Sequence, residues 1–353
     1  KKMFLTIALF EKPWSVVVIT RHGLRSPLKG IPGDDLQWKC DPMNYNFRSP
    51  NISAPKNRLV LKYDVKNLFK GDCFTGQLMR GGYDQHKNIS LILKELYGDA
   101  FTNASLRSTY KPRVQLSLNG QLSQLGPEIN EAHVGTKKMD VLNIPSGCGY
   151  DKRYVAKIQT LLGFDAELAE IRRKLNAPHL TWDQFGDHIK ARMAAGYQQP
   201  QALTENEIQL IYNQSQKHWH MSFIESYDQI KHKKYLQAGV GALMPELQQY
   251  MENEPFTILS GHDTSIAPLA AILIDDKAWE AGQPGFASFI AIESFENDTV
   301  AIRFRDGYEG KGQYVKQKAC GQIICSSKQV YVQMEKYSID VAQRDFICRT
   351  EEP

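Results

Sequence analysis

The chain lacks several features that would place it at once in a known class of protein. No apolar run approaches the roughly 18 residues that a membrane-spanning helix needs, so we expect no membrane span. There is no GxxxxGK[ST] phosphate loop, no GxSxG nucleophile elbow and no cysteine–arginine signature of tyrosine phosphatases. Internal repeats and low-complexity tracts are also missing. A single globular chain with some other kind of site is therefore expected.

The sequence also lacks a large excess of one charge. Its 43 basic and 39 acidic side chains leave a formal net charge of +4, and both signs are interspersed. This balance does not favour binding to nucleic acid, and we expect no such partner. With 353 residues, of which 42% are hydrophobic, the chain can bury a large core in one or two domains.

Cysteine is scarce, and none of the six cysteines stands in a CxxC or zinc-type pair. An even number of cysteines suits disulfides in an oxidising compartment, although several connectivities are open. Sequons for N-glycosylation begin at Asn51, Asn88, Asn103, Asn213 and Asn297. The sequence therefore predicts an extracytoplasmic location: secreted, periplasmic or lysosomal. Residues 3–10 favour an amino-terminal buried strand over a signal-peptide remnant.

A short apolar run at residues 15–20 predicts a buried strand, and a basic cluster follows it directly. Arg21, His22 and Arg25 belong to this cluster. In an open α/β sheet, ligands bind at the carboxyl ends of the strands. Two guanidinium groups match the oxygens of a phosphate, and an imidazole between them is suited to attack phosphorus.

A second apolar run, residues 256–260, is followed by His262 and Asp263. Residues 266–273 predict a helix, which we expect Thr264 to cap, and a helix amino terminus favours anions. A third arginine, Arg107, ends a short predicted strand. Together these positions form a constellation suited to phosphoryl transfer.

Three motifs carry a family resemblance: RHGLRSP at residues 21–27, RSTYKPRVQLS at residues 107–117 and HD at residues 262–263. In this order and spacing they resemble the histidine acid phosphatases, the second branch of the histidine phosphatase superfamily. Met79 stands where this family usually has Thr, and Tyr110 stands where an acidic residue is common.

The element pattern and the resemblance together imply an α/β fold. We expect a three-layer core with a mostly parallel sheet flanked by helices, and an inserted α-helical cap. Residues 1–130 and 236–353 are assigned to the core, and residues 131–235 to the cap. Residues 28–75 are expected to be rich in loops, Thr181 to begin a helix of the cap, and residues 237–251 to form a helix of the core. The resemblance also implies three disulfides, namely Cys40–Cys73, Cys148–Cys348 and Cys320–Cys325.

The resemblance and the chemistry of the residues imply the same roles. His22 is expected to be the nucleophile and Asp263 the proton donor. The expected phosphate-binding residues are Arg21, Arg25, Arg107 and His262. The predicted activity is a metal-independent acid phosphatase that hydrolyses small phosphate monoesters through a phosphohistidine, with no cofactor. Thr264-Ser265 follows the HD motif, where phytase-like members commonly have Thr-Asn, and this favours broad specificity.

Several alternatives stay open on the sequence. The chain could be a substrate-specific member such as a phytase, a sugar-phosphate phosphatase or a lysophosphatidate phosphatase. A phosphomutase or an inactive protein that binds phosphorylated ligands is a further alternative, and a homodimer is possible. His218 and His220, with His232, offer potential metal ligands, but no spacing fixes another ligand beside them.

Overall fold

The computed structural model describes residues 12–40, 69–124, 131–275 and 282–350. The strand predicted for residues 3–10, the sequon at Asn51 and much of the predicted loop region 28–75 lie outside the described residues.

A mixed eight-stranded sheet forms the centre of the fold. Its strands are β1 (Ser15–Arg21), β4 (Ser105–Ser108), β5 (Ala132–Val134), β6 (Phe256–Gly261), β7 (Phe289–Phe295), β8 (Thr299–Arg305), β9 (Gln313–Tyr314) and β10 (Ile324–Ser326). The order is β10-β8-β7-β1-β6-β4-β5, with β9 paired to β8. From β1 to β5 all neighbours are parallel, whereas β7 to β10 join by antiparallel pairs. Two short strands, β2 (Gln37–Trp38) and β3 (Lys70–Gly71), form a separate parallel pair.

Helices cover the sheet and extend beyond it. They are α1 (Arg80–Tyr97), α2 (Pro112–Gln121), α3 (Gly149–Leu162), α4 (Asp165–Lys174), α5 (Trp182–Ala195), α6 (Glu205–Phe223), α7 (Gln229–Val240), α8 (Met244–Asn253), α9 (Asp263–Leu273), α10 (Ser327–Glu335) and α11 (Val341–Thr350).

Strand β1 is buried on both faces, which is why it reads as a continuous apolar run. Val17 and Ile19 point into one hydrophobic cluster, which includes residues of α7 to α11. Val16 and Val18 point into another, which includes residues of α1 and α2. The alternation follows from the two-residue period of a strand. The predicted three-layer α/β core, with helices on both faces of the sheet, is confirmed.

Helices α4, α5 and the first half of α6 surround a hydrophobic cluster of their own, with Trp182 and Phe185 fully buried. Strand β5, which lies at the start of the segment assigned to the cap, is paired with β4 in the central sheet. Sequence patterning missed this strand because Ala132–Val134 is short and its residues are exposed. Most buried residues of α3 and those at the end of α6 belong to the core cluster, whereas Leu162 at the end of α3 belongs to the cap cluster.

One predicted helix is interrupted. Residues 237–251 were expected to form a single helix, but α7 ends at Val240 and α8 begins at Met244, with a 3₁₀ turn at Gly241–Leu243 between them. Pro245 follows the turn at the start of α8, where proline is favoured because its missing N–H needs no partner.

The structure joins the cysteines as the resemblance implied, in the pairs Cys40–Cys73, Cys148–Cys348 and Cys320–Cys325. Cys148 and Cys348 lie 200 residues apart in the chain, and their bridge ties the start of α3 to α11. Among the described residues, no helix is both long enough and apolar enough to cross a membrane.

Candidate active site

Two neighbouring parallel strands bring the motif histidines together. Arg21 at the end of β1 is in register with Gly261 at the end of β6, so the residues that follow lie side by side. The rings of His22 and His262 have their centroids 5.5 Å apart, and both side chains are buried. The carboxyl edge of the sheet is therefore the site that the two apolar runs predicted.

His22 is oriented by its own backbone neighbourhood. Its Nδ1 lies 2.9 Å from the carbonyl oxygen of Gly23. Because a carbonyl only accepts hydrogen bonds, Nδ1 carries the proton in the neutral ring and Nε2 keeps a free lone pair. Burial, together with the charges of Arg113 and Arg25, lowers the pKa of His22 well below its usual value. The lowered pKa favours the neutral form of the ring, in which Nε2 is unprotonated.

The turn after β1 requires glycine. A β-carbon on Gly23 would lie 2.1 Å from the carbonyl oxygen of Gly82, and one on Gly82 would lie 2.2 Å from the carbonyl oxygen of Leu24. The backbones of the turn and of helix α1 are thus in direct contact. This contact fixes the loop that carries the histidine and explains the glycine that ends the RHG motif.

Asp263 is the first residue of α9 and is surrounded by donors. Its Oδ2 lies 2.8 Å from Nη2 of Arg21 and accepts a 2.6 Å hydrogen bond from Nε2 of Gln283. Its Oδ1 accepts a 2.9 Å hydrogen bond from the backbone N–H of Thr264. Although burial alone would raise it, the charges of Arg21 and Arg25 lower the pKa of Asp263 to about 2. This carboxyl group is therefore ionised at neutral pH.

His262 caps helix α9, a role that the sequence analysis gave to Thr264. Ser265 Oγ accepts a hydrogen bond from the N–H of His262, and the N–H of Ser265 donates to the carbonyl oxygen of His262 at 3.0 Å. Nε2 of His262 lies 3.2 Å from Thr109 Oγ1. A neutral imidazole carries a proton on one of its two nitrogens, so a neutral His262 can donate a hydrogen bond. Burial and Arg113 lower the pKa of His262 well below its usual value.

Arg25 is held by a residue that sequence reasoning missed. Asp187, on α5, accepts from both terminal nitrogens of the Arg25 guanidinium, at 2.8 and 3.2 Å. The same carboxylate accepts a 2.9 Å hydrogen bond from the N–H of Leu28. Asp187 therefore connects Arg25 of the RHGLRSP motif to helix α5 of the cap. An isolated aspartate in the middle of a helix gave no signal for this role.

The structure places Arg107 away from the motif histidines, contrary to its expected role in phosphate binding. Its guanidinium forms an ion pair with Glu246 of α8, and it does not line the cavity above His22. Arg113, in the first turn of α2, lines that cavity instead. It contributes more than any other charged side chain to the lowered pKa of His22. Of the two arginines in this motif, Arg113 lies beside His22 and Arg107 does not.

A cavity of about 410 Å³ opens above His22. Arg25, Arg113, His262 and Asp263 line its floor, and Gln283 lies beside them. Residues from α3, α5 and α6, among them Asp151, Asp183 and Trp219, form another part of its wall. The core thus supplies the cations and the cap supplies much of the enclosure.

Among the described residues, the one group with three potential ligand atoms in mutual reach is Cys40, Asp72 and Cys73, and its sulfurs are joined in a disulfide. His218, His220 and His232 do not form such a group.

Comparison with known proteins agrees with this geometry. No protein-family model matches the chain. Counting factor 60 of Dictyostelium discoideum is 22% identical over 359 residues, and the alignment covers 88% of this chain and 82% of that protein.

Solved structures show the same fold at low sequence identity. The phytase of Citrobacter braakii superimposes with a TM-score of 0.57 at 14% identity, covering 97% of this chain and 100% of that one. The apo phytase of Hafnia alvei gives a TM-score of 0.59 at 11% identity, covering 96% and 98%. A Bifidobacterium longum multiple inositol polyphosphate phosphatase, in complex with inositol hexasulfate, gives 0.52 at 12%, covering 90% of each chain. Since these neighbours share the architecture and this chain carries the three motifs at one sheet edge, the chain has the histidine acid phosphatase fold.

Proposed function

We propose that the protein is a metal-independent acid phosphatase that hydrolyses small phosphate monoesters through a phosphohistidine. The observation that carries this proposal is the neutral, buried His22, whose Nδ1 is tied to the Gly23 carbonyl and whose Nε2 is free beside the buried arginines. Because its pKa is lowered, such a ring stays unprotonated in acid and can still act as a nucleophile. The fold shared with phytases supports the same class of reaction.

In the first step, Nε2 of His22 forms a bond to phosphorus and the ester P–O bond breaks. The leaving oxygen takes a proton from the carboxyl group of Asp263 and departs as the alcohol. In the second step, the Asp263 carboxylate takes a proton from water as the water oxygen bonds to phosphorus. The N–P bond breaks and releases inorganic phosphate and a neutral His22.

Arg21, Arg25 and Arg113 hold the phosphoryl oxygens and offset their charge, and His262 donates a further hydrogen bond. Arg113 replaces Arg107 in this set because it faces the cavity. In other phosphoryl transfers, cationic side chains stabilise the charge of the transition state in the same way. The arginines supply the charge that a metal ion provides elsewhere.

The pKa of Asp263 accounts for an acid optimum. The pKa of Asp263 is about 2, because Arg21 and Arg25 stabilise the carboxylate against the effect of burial. A bound phosphate shares these cations and so raises the pKa of Asp263 in the complex. Phosphate monoesters bind a second proton below about pH 6, so acid also supplies the proton that the leaving group needs.

Broad specificity is the finer part of the proposal. It rests on Ser265, which stands where phytase-like members commonly have Asn, and here hydrogen-bonds the backbone of His262. The hydroxyl oxygen of Ser265 is thus already engaged in a hydrogen bond within the protein, at the start of α9.

The disulfides support an extracytoplasmic location, because such bonds persist in oxidising compartments. Four of the sequon asparagines, Asn88, Asn103, Asn213 and Asn297, are exposed. Asn103 precedes β4 and so lies toward the opposite end of that strand from the catalytic edge. A glycan there is compatible with an open site.

The test is release of p-nitrophenol from its phosphate ester between about pH 4 and 8, with excess EDTA throughout. We expect activity that peaks on the acid side and is unchanged by EDTA. His22→Ala should abolish turnover without altering the circular dichroism spectrum, whereas the exposed His179→Ala should behave as wild type. Activity that EDTA removes, or that survives in His22→Ala, would refute the histidine mechanism.

A further inference from the structure

We propose that Lys190, on the cap helix α5, is a positioning residue for the proton donor Asp263 and acts through the side-chain amide of Gln283. The inference rests on the proposed function, because it concerns the group that protonates the leaving alcohol. It adds a second role for the cap, which then orients the catalytic carboxyl group as well as enclosing the substrate.

A continuous chain of hydrogen bonds joins the three side chains. Lys190 Nζ donates to Gln283 Oε1 at 2.9 Å, and Gln283 Nε2 donates to Asp263 Oδ2 at 2.6 Å. An ammonium group has donors only, so the amide oxygen must face Lys190. The amide NH₂ must then face Asp263. The lysine thereby fixes which end of the amide meets the carboxylate.

Helix α6 of the cap holds the same assembly from another side. Gln216 Oε1 accepts from the backbone N–H of Gln283 at 2.9 Å and from Lys190 Nζ at 3.1 Å. Ser215 Oγ is the third acceptor of the ammonium group, also at 3.1 Å. The loop that carries Gln283 is thus fastened to two cap helices directly beside the catalytic edge.

The contacts of Lys190 differ from those of a lysine that simply ties the cap to the core. Its three hydrogen-bond acceptors are neutral oxygens, and burial lowers the pKa of its ammonium group to about 8. An ion pair with a carboxylate would offset that burial better. The cation is instead placed one amide away from Asp263, where it strengthens the donor that faces the carboxylate.

The charge on Asp263 is set by all the groups that face it. These are the cations Arg21, Arg25, Arg113, His262 when protonated, and Lys190, with Asp187 as the nearby anion. Arg21 and Gln283 donate to the same oxygen, Oδ2. Loss of the Lys190–Gln283 hydrogen bond removes one cation near Asp263 and leaves the amide of Gln283 less firmly positioned. The pKa of Asp263 therefore rises.

The experiment compares kcat/KM for two substrates in wild type and Lys190→Met between about pH 4 and 8. β-Glycerophosphate has an alkoxide leaving group that needs a proton, whereas p-nitrophenolate leaves readily without one. We expect a loss of about tenfold for β-glycerophosphate and less than about threefold for p-nitrophenyl phosphate. The alkaline limb of the β-glycerophosphate profile should move up by about one pH unit.

Three control variants separate positioning from stability. Lys190→Arg keeps the charge and the donors and should restore most of the β-glycerophosphate activity. Lys217→Met removes an exposed lysine of α6 and should leave both substrates unchanged. In an Asp263→Asn background, Lys190→Met should add no further discrimination between the two substrates.

Equal losses on both substrates without a shift of the alkaline limb would overturn the inference, as would discrimination that persists in the Asp263→Asn background. If Lys190→Met fails to fold, Gln283→Leu breaks the same chain of hydrogen bonds and has the same expected outcome. An inactive wild-type protein would instead refute the proposed function itself, and this inference with it.

Discussion

At the scale of single residues, the proposed binding of phosphate depends most directly on Arg113, which lines the same cavity as His22. Burial and the charge of Arg25 lower the pKa of Arg113 to about 9, and its Nε has no hydrogen-bond partner among the described residues. A buried donor without a partner is costly. A phosphoryl group in the cavity would satisfy it, so Arg113 is prepared for an anion.

We expect Arg113→Ala to lower kcat/KM for p-nitrophenyl phosphate by about 10²–10³-fold, since it removes one donor and one charge from the transition state. Arg107→Ala is the matched control. It loses only the partly exposed ion pair with Glu246 and should change kcat/KM by less than about threefold. Steady-state kinetics of both variants decide the assignment. A larger loss in Arg107→Ala than in Arg113→Ala would restore the assignment made from the sequence.

At the scale of elements, helix α5 is the part of the cap that reaches the catalytic edge. Its first turn is stabilised by a capping box, in which Thr181 accepts from the N–H of Gln184 and the Gln184 side chain accepts from the N–H of Thr181. From this fixed start, Asp187 and Lys190 project toward Arg25 and Gln283. One helix therefore contacts both Arg25 and Gln283, and Gln283 in turn contacts Asp263.

Asp187→Asn tests the first of these links. The substitution leaves the buried Arg25 without its anion, and we expect a loss of about 3 kcal/mol in the free energy of unfolding. Added inorganic phosphate should raise the melting temperature of the variant more than that of wild type, because phosphate supplies the missing negative charge. Differential scanning fluorimetry with and without phosphate measures both effects.

Asp165→Asn, on the exposed start of the neighbouring helix α4, serves as the control and should respond to phosphate as wild type does. An equal phosphate response in Asp187→Asn and wild type would show that Arg25 is not the anion-binding group.

Elements with a strong local pattern were predicted well. The strands at residues 15–20 and 256–260 were found because a strand buried on both faces is apolar throughout. The helix after Thr181 was found because its cap is encoded within four residues. Strand β5 was missed because an exposed three-residue edge strand has no apolar pattern. The break between α7 and α8 was missed for the opposite reason, since apolar periodicity continues across it.

At the scale of the whole molecule, buried histidines make stability depend on pH. Burial is the first cause that lowers the pKa of His22, His262 and His86, the last to about 3. In the unfolded chain these rings bind protons below about pH 6.5. Below that pH the unfolded state therefore binds more protons than the native state, and stability falls as the pH falls.

We expect the free energy of unfolding to decrease between about pH 6.5 and 5, by roughly 1.4 kcal/mol per pH unit for each such histidine. Asp263 has the opposite behaviour in another window. Its lowered pKa contributes stability above about pH 4 that is lost only as the pH falls toward about 2.

Urea unfolding at about pH 7, 6 and 5 measures this slope. Inorganic phosphate should reduce the loss if it binds at the motif histidines. A flat stability curve over this range would mean that the histidines are protonated in the native protein, and it would remove the basis for a neutral His22.

The sequence by itself determined where the chemistry lies. Two apolar runs had to become adjacent parallel strands, and residues at their carboxyl ends had to meet, so His22, His262 and Asp263 were identified together. Tertiary structure alone decided which arginine joins them. Arg107 forms an ion pair with Glu246, which lies 139 residues further along the chain, whereas Arg113, in the first turn of α2, lies near His22. Contacts between distant segments, such as those of Asp187 and Lys190, have no local pattern and depend on packing.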